Sequence, residues 1–201
     1  MTTRTVYVSA AIAFVIISLL FLIVIVQSSV DEHQIIATPN IPRGSGVLTA
    51  FASTQVKGNV DEVFAVIKNY NGYSDWSPYS NYKWNDVDEN GVPHVGSTGS
   101  FKLNIVDFPE RVVPVRLTML DHESRRVADM STTYPKWLLF SERVQEVVPI
   151  EGKPGFCEYR TWQTLEGIGA YYLLLTARED LSESQQKCAT ELKAFVEQRK
   201  R

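Results

Sequence analysis

The sequence predicts an α+β protein in which an antiparallel sheet of about six to seven strands is covered by one long C-terminal helix, after an N-terminal transmembrane helix. Strand-like runs follow one another over residues 79–165 with no helical pattern between them, as in antiparallel sheets. Residues 170–198 carry apolar residues at steps of three and four, which is typical of a helix that buries one face. Residues 6–26 contain no charge, proline or glycine.

The N-terminal run VYVSAAIAFVIISLLFLIVIV occupies residues 6–26. As a helix it is about 31 Å long, which matches the hydrocarbon core of a bilayer. A cleaved signal peptide is the alternative, but its apolar stretch is shorter, roughly 7–15 residues, and residues 27–29 (QSS) make a poor cleavage site. We therefore expect a single-pass membrane anchor over residues 1–26. Arg4 places the N-terminus in the cytoplasm and the domain on the far side; with one arginine, the side of the domain stays open.

Residues 27–46 are polar and contain two prolines and two glycines, which predicts a flexible linker. Its ends would lie roughly 25 Å apart on average, so the domain can sit against its own membrane. Residues 47–201 have the length of one domain with a real core. The net charge of −3, without a basic stripe, argues against a nucleic-acid partner.

The domain is predicted to begin with a strand and a short helix. Residues 47–57 follow a strand-like alternation, and Asn59 is positioned to cap a helix over residues 60–69, where apolar residues recur at helical spacing. Residues 73–76 are expected to add one more turn before Pro78.

Six strand-like runs follow this helix. The Asn-Gly pair at residues 90–91 is a strong hairpin signal between the first two runs. In the third run, the alternate residues from Val113 to Met119 are all apolar and are predicted to share one face. The final helix, over residues 170–198, is the one element large enough to cover the sheet. The runs are 79–87, 97–106, 111–120, 125–132, 137–148 and 156–165.

Three stretches of this chain resemble the START-like superfamily, also called SRPBCC. Residues 59–67 (NVDEVFAVI), running into residues 73–78 (YSDWSP), look like the family's first helix and its W-x-P turn. Residues 137–149 (WLLFSERVQEVVP) and residues 164–167 (TLEG) look like later strands and the entry to the terminal helix. The likeness covers nearly the whole region after the predicted linker, and it consists of packing signatures without a catalytic motif.

The resemblance implies a helix-grip fold, in which a curved antiparallel sheet wraps on the C-terminal helix around an apolar cavity. Such a cavity suits a hydrophobic small molecule of the lipid, sterol, quinone or polyketide-like class. The superfamily includes polyketide aromatase/cyclases, coenzyme Q-binding proteins and lipid-transfer START domains. This implication concerns the fold, and a fold by itself does not determine chemistry.

Common catalytic and cofactor motifs do not occur in the sequence. His33, His94 and His122 have no metal-ligand spacing to another histidine, cysteine or carboxylate, and all three are expected on the surface. There is no G-x-S-x-G, P-loop or G-x-G-x-x-G. We therefore expect neither a metal nor a cofactor.

Glu142 is the first candidate for a catalytic group. The even-numbered residues from Leu138 to Val144 are predicted to face inward, and the odd-numbered residues from Ser141 to Gln145 to be solvated. A carboxylate inside an apolar cavity can act as a general acid or base. The structural alternative is that Glu142 pairs with a nearby arginine or faces water.

The resemblance assigns the odd-numbered residues from Cys157 to Leu165 to the inner face of the last strand, where Tyr159 is the second catalytic candidate. Cys157 and Cys188 can then face each other; two buried thiols are expected, with a disulfide as the alternative. Trp76 resembles the family's packing tryptophan, so core packing is its expected role. The predicted ligand-binding residues are Trp76, Tyr79, Trp84, Phe101, Leu103, Leu117, Phe140, Thr161 and Gln163.

Three functions remain in competition at this point. The first is a membrane-anchored module that binds or transfers a hydrophobic molecule. The second is a cyclase, dehydratase or isomerase that folds a hydrophobic intermediate in the same cavity, with Glu142 or Tyr159 moving a proton. The third is a protein-interaction module with a filled cavity. We favour the first, because no motif in the sequence defines a reaction.

Overall fold

The computed structural model describes residues 34–103 and 111–199. Within these ranges, one seven-stranded sheet has the spatial order β1-β7-β6-β5-β4-β3-β2, with every neighbouring pair antiparallel. This confirms the predicted sheet. The strands are β1 (Leu48–Lys57), β2 (Tyr79–Trp84), β3 (Thr98–Leu103), β4 (Arg111–Asp121), β5 (Arg126–Ser131), β6 (Phe140–Pro149) and β7 (Phe156–Glu166).

The predicted transmembrane segment over residues 6–26 lies outside the described residues. Among residues 34–103 and 111–199, no helix is both long and apolar enough to cross a membrane.

The first helix, α1 (Val60–Lys68), begins as the sequence predicts. The Asn59 side chain accepts a hydrogen bond from the Asp61 amide at 2.8 Å, and the Glu62 carboxylate accepts one from the Asn59 amide at 3.2 Å. This reciprocal capping box satisfies amides that the first turn leaves unpaired. A 3₁₀ helix, Tyr70–Asp75, replaces the single predicted turn.

The predicted single helix over residues 170–198 is wrong in one respect, because the chain forms two helices. These are α2 (Ile168–Thr176) and α3 (Arg178–Gln198), and they are separated at Ala177, whose φ of −140° leaves the helical region. The sequence marks the start of α3 with two acidic residues, Glu179 and Asp180, in its first turn, because negative charge stabilises a helix N-terminus.

The main core lies between α1, the 3₁₀ helix, α3 and one face of the sheet, called here the inner face. Helix α3 packs mainly on β1 and contributes the buried residues Cys188, Ala189 and Leu192. A register shift in β4 between Leu117 and Met119 ends the predicted alternation. Met119 therefore packs with the cluster on the opposite, outer face, and the prediction that it shares the face of Leu117 is wrong.

The part of the outer face around β6 and the end of β7 is covered by the chain just before β1. Ile35 and Ile41 are buried, the Trp162 indole donates a hydrogen bond to the Ala37 carbonyl at 3.2 Å, and Thr164 donates one to the Ile36 carbonyl at 2.6 Å. Residues 35–46, predicted as part of a flexible linker, therefore belong to the folded domain. We call them the strap.

Candidate functional site

A cavity of about 260 Å³ lies between the inner face of the sheet and the helices α2 and α3. Exposed residues, among them Arg111 and Tyr134, stand at its mouth. Most of its wall is apolar, and the apolar wall includes Phe101, Leu103, Val115, Leu165, Leu173 and Leu181. An apolar wall interrupted by a few polar groups is the usual composition of a small-molecule site.

Arg143 is a buried charged group in this wall. Its side chain is only 4% exposed, and its Nη2 donates hydrogen bonds to Asp129 Oδ2 at 3.0 Å and to the Tyr82 hydroxyl at 2.6 Å. The Tyr79 ring lies 4.0 Å from the guanidinium carbon. Asp129 and Arg143 are direct cross-strand partners on β5 and β6. The two charges therefore form a buried ion pair at the cavity.

Two nitrogens of Arg143, Nε and Nη1, are buried without a hydrogen-bond partner in the described part of the chain. Leaving a buried donor unsatisfied costs about 1–3 kcal/mol, and more when the group is charged. Burial alone lowers the pKa of Arg143, but Asp129 and the surrounding tyrosine hydroxyls outweigh it, and the pKa stays well above its ordinary value. The site therefore offers strong donors to an acceptor oxygen.

A second polar group connects the helix to the sheet beside the cavity. The Gln185 amide nitrogen donates to the Tyr79 hydroxyl at 2.9 Å and to Gln163 Oε1 at 3.2 Å, while its oxygen accepts from Thr161 at 2.9 Å. The Tyr79 hydroxyl also lies 3.1 Å from Ser184 Oγ. Because these groups satisfy one another, they hold α3 in register on β7.

Tyr159 lies on the predicted inner face, but it is part of the packed core and not of the cavity wall. Its hydroxyl donates to Gln145 Oε1 at 2.6 Å, and the Gln145 amide nitrogen donates to the Tyr73 hydroxyl at 2.8 Å. Burial raises the pKa of Tyr159 well above its ordinary value, and the nearby Cys188 raises it further. Its hydroxyl is neutral and already bonded.

The prediction that Glu142 faces the cavity is wrong. Glu142 is fully buried on the outer face, where its carboxylate accepts hydrogen bonds from Thr38 Oγ1 at 2.5 Å, from the Asn40 amide at 2.7 Å and from Asn40 Nδ2 at 2.8 Å. It anchors the strap. Phe140 has the same parity and also lies on the outer side, with the Lys136 ammonium 5.1 Å from its ring.

The prediction that Arg143 and Gln145 are solvated is also wrong, because both side chains point to the inner face and are buried there. Every residue of β6 from 142 to 147 is buried. The helices cover the inner face, whereas the strap covers the outer face at Glu142 and two arginines, Arg126 and Arg160, pair with Glu146. The alternation of apolar and polar residues along a strand identifies its inner face only when the other face is exposed to water.

Four of the predicted ligand-binding residues line the cavity: Tyr79, Phe101, Leu103 and Gln163. The others lie elsewhere. Trp76 packs in the core, where its ring centroid lies 4.7 Å from that of Tyr73, and Leu117 is fully buried in the same core. Thr161 is buried and donates a hydrogen bond to Gln185. Trp84 lines a separate cavity of about 280 Å³ beside Val92 and His122.

Arg143 and Asp129 are site residues that the sequence pattern alone does not reveal. Their signal is an aspartate between Ala128 and Met130 in one strand and an arginine inside the following strand. Such a pair is informative only once the register places the two side chains opposite each other, as it does here.

The remaining titratable candidates lie outside the cavity. His94 and His122 are exposed, as predicted, and His33 lies outside the described residues. Across residues 34–103 and 111–199, no three His, Cys, Asp or Glu side chains come together in a way that could hold a metal ion.

Cys157 and Cys188 are both buried thiols, and no disulfide joins them. Burial raises the pKa of the Cys188 thiol, so this thiol stays protonated at neutral pH. We expect neither cysteine to react with iodoacetamide in the native protein at pH 7.5, and both to react after denaturation. Mass spectrometry of the alkylated chain measures this; rapid native labelling of either cysteine would contradict the packing described here.

Comparison with known proteins gives a match at the level of fold. No protein-family model and no curated protein sequence matches the chain. A START superfamily protein from Mycobacterium smegmatis matches with a TM-score of 0.58 at 13% identity, over 75% of this chain and 97% of that chain. The Zhui aromatase/cyclase from Streptomyces sp. R1128 matches with a TM-score of 0.57 at 12% identity, over 76% and 95%. The fold is START-like.

A hypothetical protein from Helicobacter pylori shares the START-like fold with a TM-score of 0.63 at 13% identity, over 80% of this chain and 97% of that chain. Nearly the whole of each START-like neighbour is matched, so the shared part is a complete domain. Identities this low establish the START-like fold alone.

Proposed function

We propose that this domain binds a hydrophobic small molecule in the cavity between its sheet and the helices α2 and α3, with an acceptor oxygen of the ligand held against Arg143. One observation carries the proposal. A charged guanidinium, almost completely buried in a mainly apolar wall, keeps two donor nitrogens without a partner among the described residues. The names of two neighbours of the same fold, a START superfamily protein and an aromatase/cyclase, support this class of function.

The size of the cavity limits the ligand. A volume of about 260 Å³ equals that of about nine liquid waters, and ligand sites are commonly about 300–1,000 Å³. The enclosed part of the ligand is therefore about as large as a fused two-ring system. A longer molecule would extend through the mouth beside Arg111 and Tyr134.

The charge balance of the site favours a neutral acceptor. Asp129 already neutralises Arg143, so an anionic ligand would add a negative charge close to a buried carboxylate. A ketone or hydroxyl oxygen accepts the same hydrogen bonds without that repulsion. Within the lipid, sterol, quinone and polyketide-like classes, we propose a neutral oxygen-bearing member.

Binding is favoured over the catalytic alternative. A cyclase, dehydratase or isomerase mechanism was expected to use Glu142 or Tyr159, and neither residue lines the cavity. The proposal retains the membrane anchor expected over residues 1–26, which rests on the apolar sequence alone. Anchoring would hold the cavity near a source of hydrophobic ligands.

Two neutral ligands of equal size test this function. The full chain in nanodiscs is expected to bind 2-acetylnaphthalene about tenfold or more tightly than 2-isopropylnaphthalene, because a hydrogen bond to a charged group contributes about 1.5–3 kcal/mol and 1.4 kcal/mol is about tenfold. Equilibrium dialysis against empty nanodiscs measures both affinities. Mass spectrometry of co-purifying small molecules then identifies the natural ligand.

Two variants serve as controls for this measurement. Leu181→Trp fills the cavity and should abolish binding of both compounds. The double variant Arg143→Met/Asp129→Leu removes both charges, so it should bind the two compounds equally. Equal binding by the unmodified chain would exclude Arg143 as the anchor, whereas binding of neither compound would contradict the proposed function.

A further inference from the structure

A group of large apolar side chains stands exposed at the end of the domain that carries α2. Ile168 is 68% exposed, Trp137 67% and Tyr172 67%. Soluble monomers rarely expose contiguous apolar patches larger than a few hundred Å², and larger patches mark binding or interaction sites. The group, which we call the aromatic patch, consists of Tyr134, Trp137, Ile168, Tyr171, Tyr172 and Leu175.

Helix α2 lacks the polar face of an ordinary surface helix. Its sequence, IGAYYLLLT, contains no charge, and Ala170 and Leu174 are its buried residues. An amphipathic helix turns its polar side to water, whereas α2 turns tyrosine, leucine and isoleucine outward. Water is therefore an unfavourable environment for this helix.

Backbone contacts join α2 and the preceding loop into one surface. The Ile168 amide donates to the Trp137 carbonyl at 3.1 Å, and the Gly169 amide donates to the Leu138 carbonyl at 2.7 Å. Gly167, at φ +99°, permits this approach, since a β-carbon there would lie 2.9 Å from the carbonyl oxygens of Lys136 and Leu138. The patch is thus held in place by the fold.

The patch continues into the mouth of the cavity. Tyr134 belongs to both, and Leu173 of α2 lines the cavity wall between the exposed Tyr172 and the buried Leu174. A surface that covers the patch would therefore also face the cavity mouth.

The chain enters the folded domain at this same end. The Ile36 carbonyl accepts a hydrogen bond from Thr164, four residues before α2 begins, and the Ile36 amide donates to Thr49 Oγ1 at 3.1 Å. Residues 27–35, which separate the uncharged run 6–26 from Ile36, can span at most about 32 Å. An inserted run would hold this end of the domain near its bilayer.

We infer that the aromatic patch docks on a lipid bilayer, with α2 and Trp137 at the boundary between headgroups and acyl chains. Tyrosine and tryptophan favour this boundary because each joins an apolar ring to a polar tip. A protein partner would not require the cavity mouth and the point where the chain enters the domain to lie at the end that carries the patch. Docking opens the cavity towards lipid, from which a hydrophobic ligand can enter without crossing water.

Tryptophan emission in vesicles tests this inference. The chain has four tryptophans, none of them within residues 6–26; Trp76 and Trp162 are buried, Trp84 is half-buried, and Trp137 is exposed. The full chain is reconstituted in phosphatidylcholine vesicles with or without brominated acyl chains, and only protein that floats with vesicles is measured. We expect bromine to quench emission, and the Trp137→Phe variant to lose that quenching.

Substitutions in the patch provide the second measurement. Ile168→Asp/Tyr172→Asp is expected to remove most of the quenching, since an unpaired carboxylate opposes burial of the patch among acyl chains. The matched control is Val92→Asp, at a 48% exposed apolar residue of the β2–β3 connection beside Leu120 and His122. It should leave quenching unchanged.

Equal emission of the unmodified chain in the two kinds of vesicle would overturn the inference, as would a failure to float. Cross-linking through the patch between two copies, together with absent quenching, would instead assign this surface to a dimer. Equilibrium dialysis with 2-acetylnaphthalene in the same vesicles measures ligand binding independently of docking, so it distinguishes failure of the proposed function from failure of the docking inference. Ketone binding without quenching would refute docking and leave the proposed function standing.

Discussion

Replacing Arg143 with methionine is expected to lower the free energy of unfolding by about 3–5 kcal/mol, because it leaves the carboxylate of Asp129 buried without its partner. The substitution also removes the hydrogen bond from the guanidinium to Tyr82 and its contact with the Tyr79 ring. Urea unfolding of the full chain in nanodiscs, followed by tryptophan emission, measures the change.

The double variant Arg143→Met/Asp129→Leu provides the decisive comparison. Exchanging a buried ion pair for apolar residues of similar volume is often neutral or stabilising, so most of the lost stability should return. Arg116→Met, at an exposed position of β4, should change stability by less than about 0.5 kcal/mol. A double variant as unstable as the single one would show that the stability of this region does not depend on charge compensation.

Replacing Glu142 with alanine is expected to lower the free energy of unfolding by about 3 kcal/mol, because it leaves the hydroxyl of Thr38 and two nitrogens of Asn40 without an acceptor. Glu142→Gln keeps one acceptor oxygen and should lose about half as much. Urea unfolding measures both variants, and limited proteolysis of the strap should accelerate in parallel.

Ligand affinity separates this structural role from the catalytic one that the sequence predicted. Glu142 lies on the outer face, so Glu142→Gln should bind 2-acetylnaphthalene as tightly as the unmodified chain does. Glu151→Ala, in the exposed turn before β7, is the matched control and should be nearly neutral. If Glu142→Gln lost ligand binding while its stability stayed unchanged, Glu142 would have to line the cavity, which would contradict the described register of β6.

The early elements could be predicted because their signals are local. The capping box at Asn59 and Glu62 marks the start of α1 with side chains only three residues apart. The face of β7 that carries Tyr159 came from the family resemblance, since Trp162 of the opposite parity left the sequence pattern ambiguous. The structure shows why: Trp162 packs beneath the strap and is nearly as buried as Tyr159.

By itself, the sequence of this protein determined the α+β class, the run of consecutive strands and the amphipathic stripe that seats α3, because these depend on periodicity and on local turn chemistry. Tertiary structure alone decided that β6 is buried on both faces, that Glu142 anchors the strap, and that Asp129 and Arg143 meet at the cavity. The reason is physical. A hydrophobic pattern records whether a face meets water, whereas an ion pair or a covered outer face depends on segments that are distant in the sequence and adjacent only after folding.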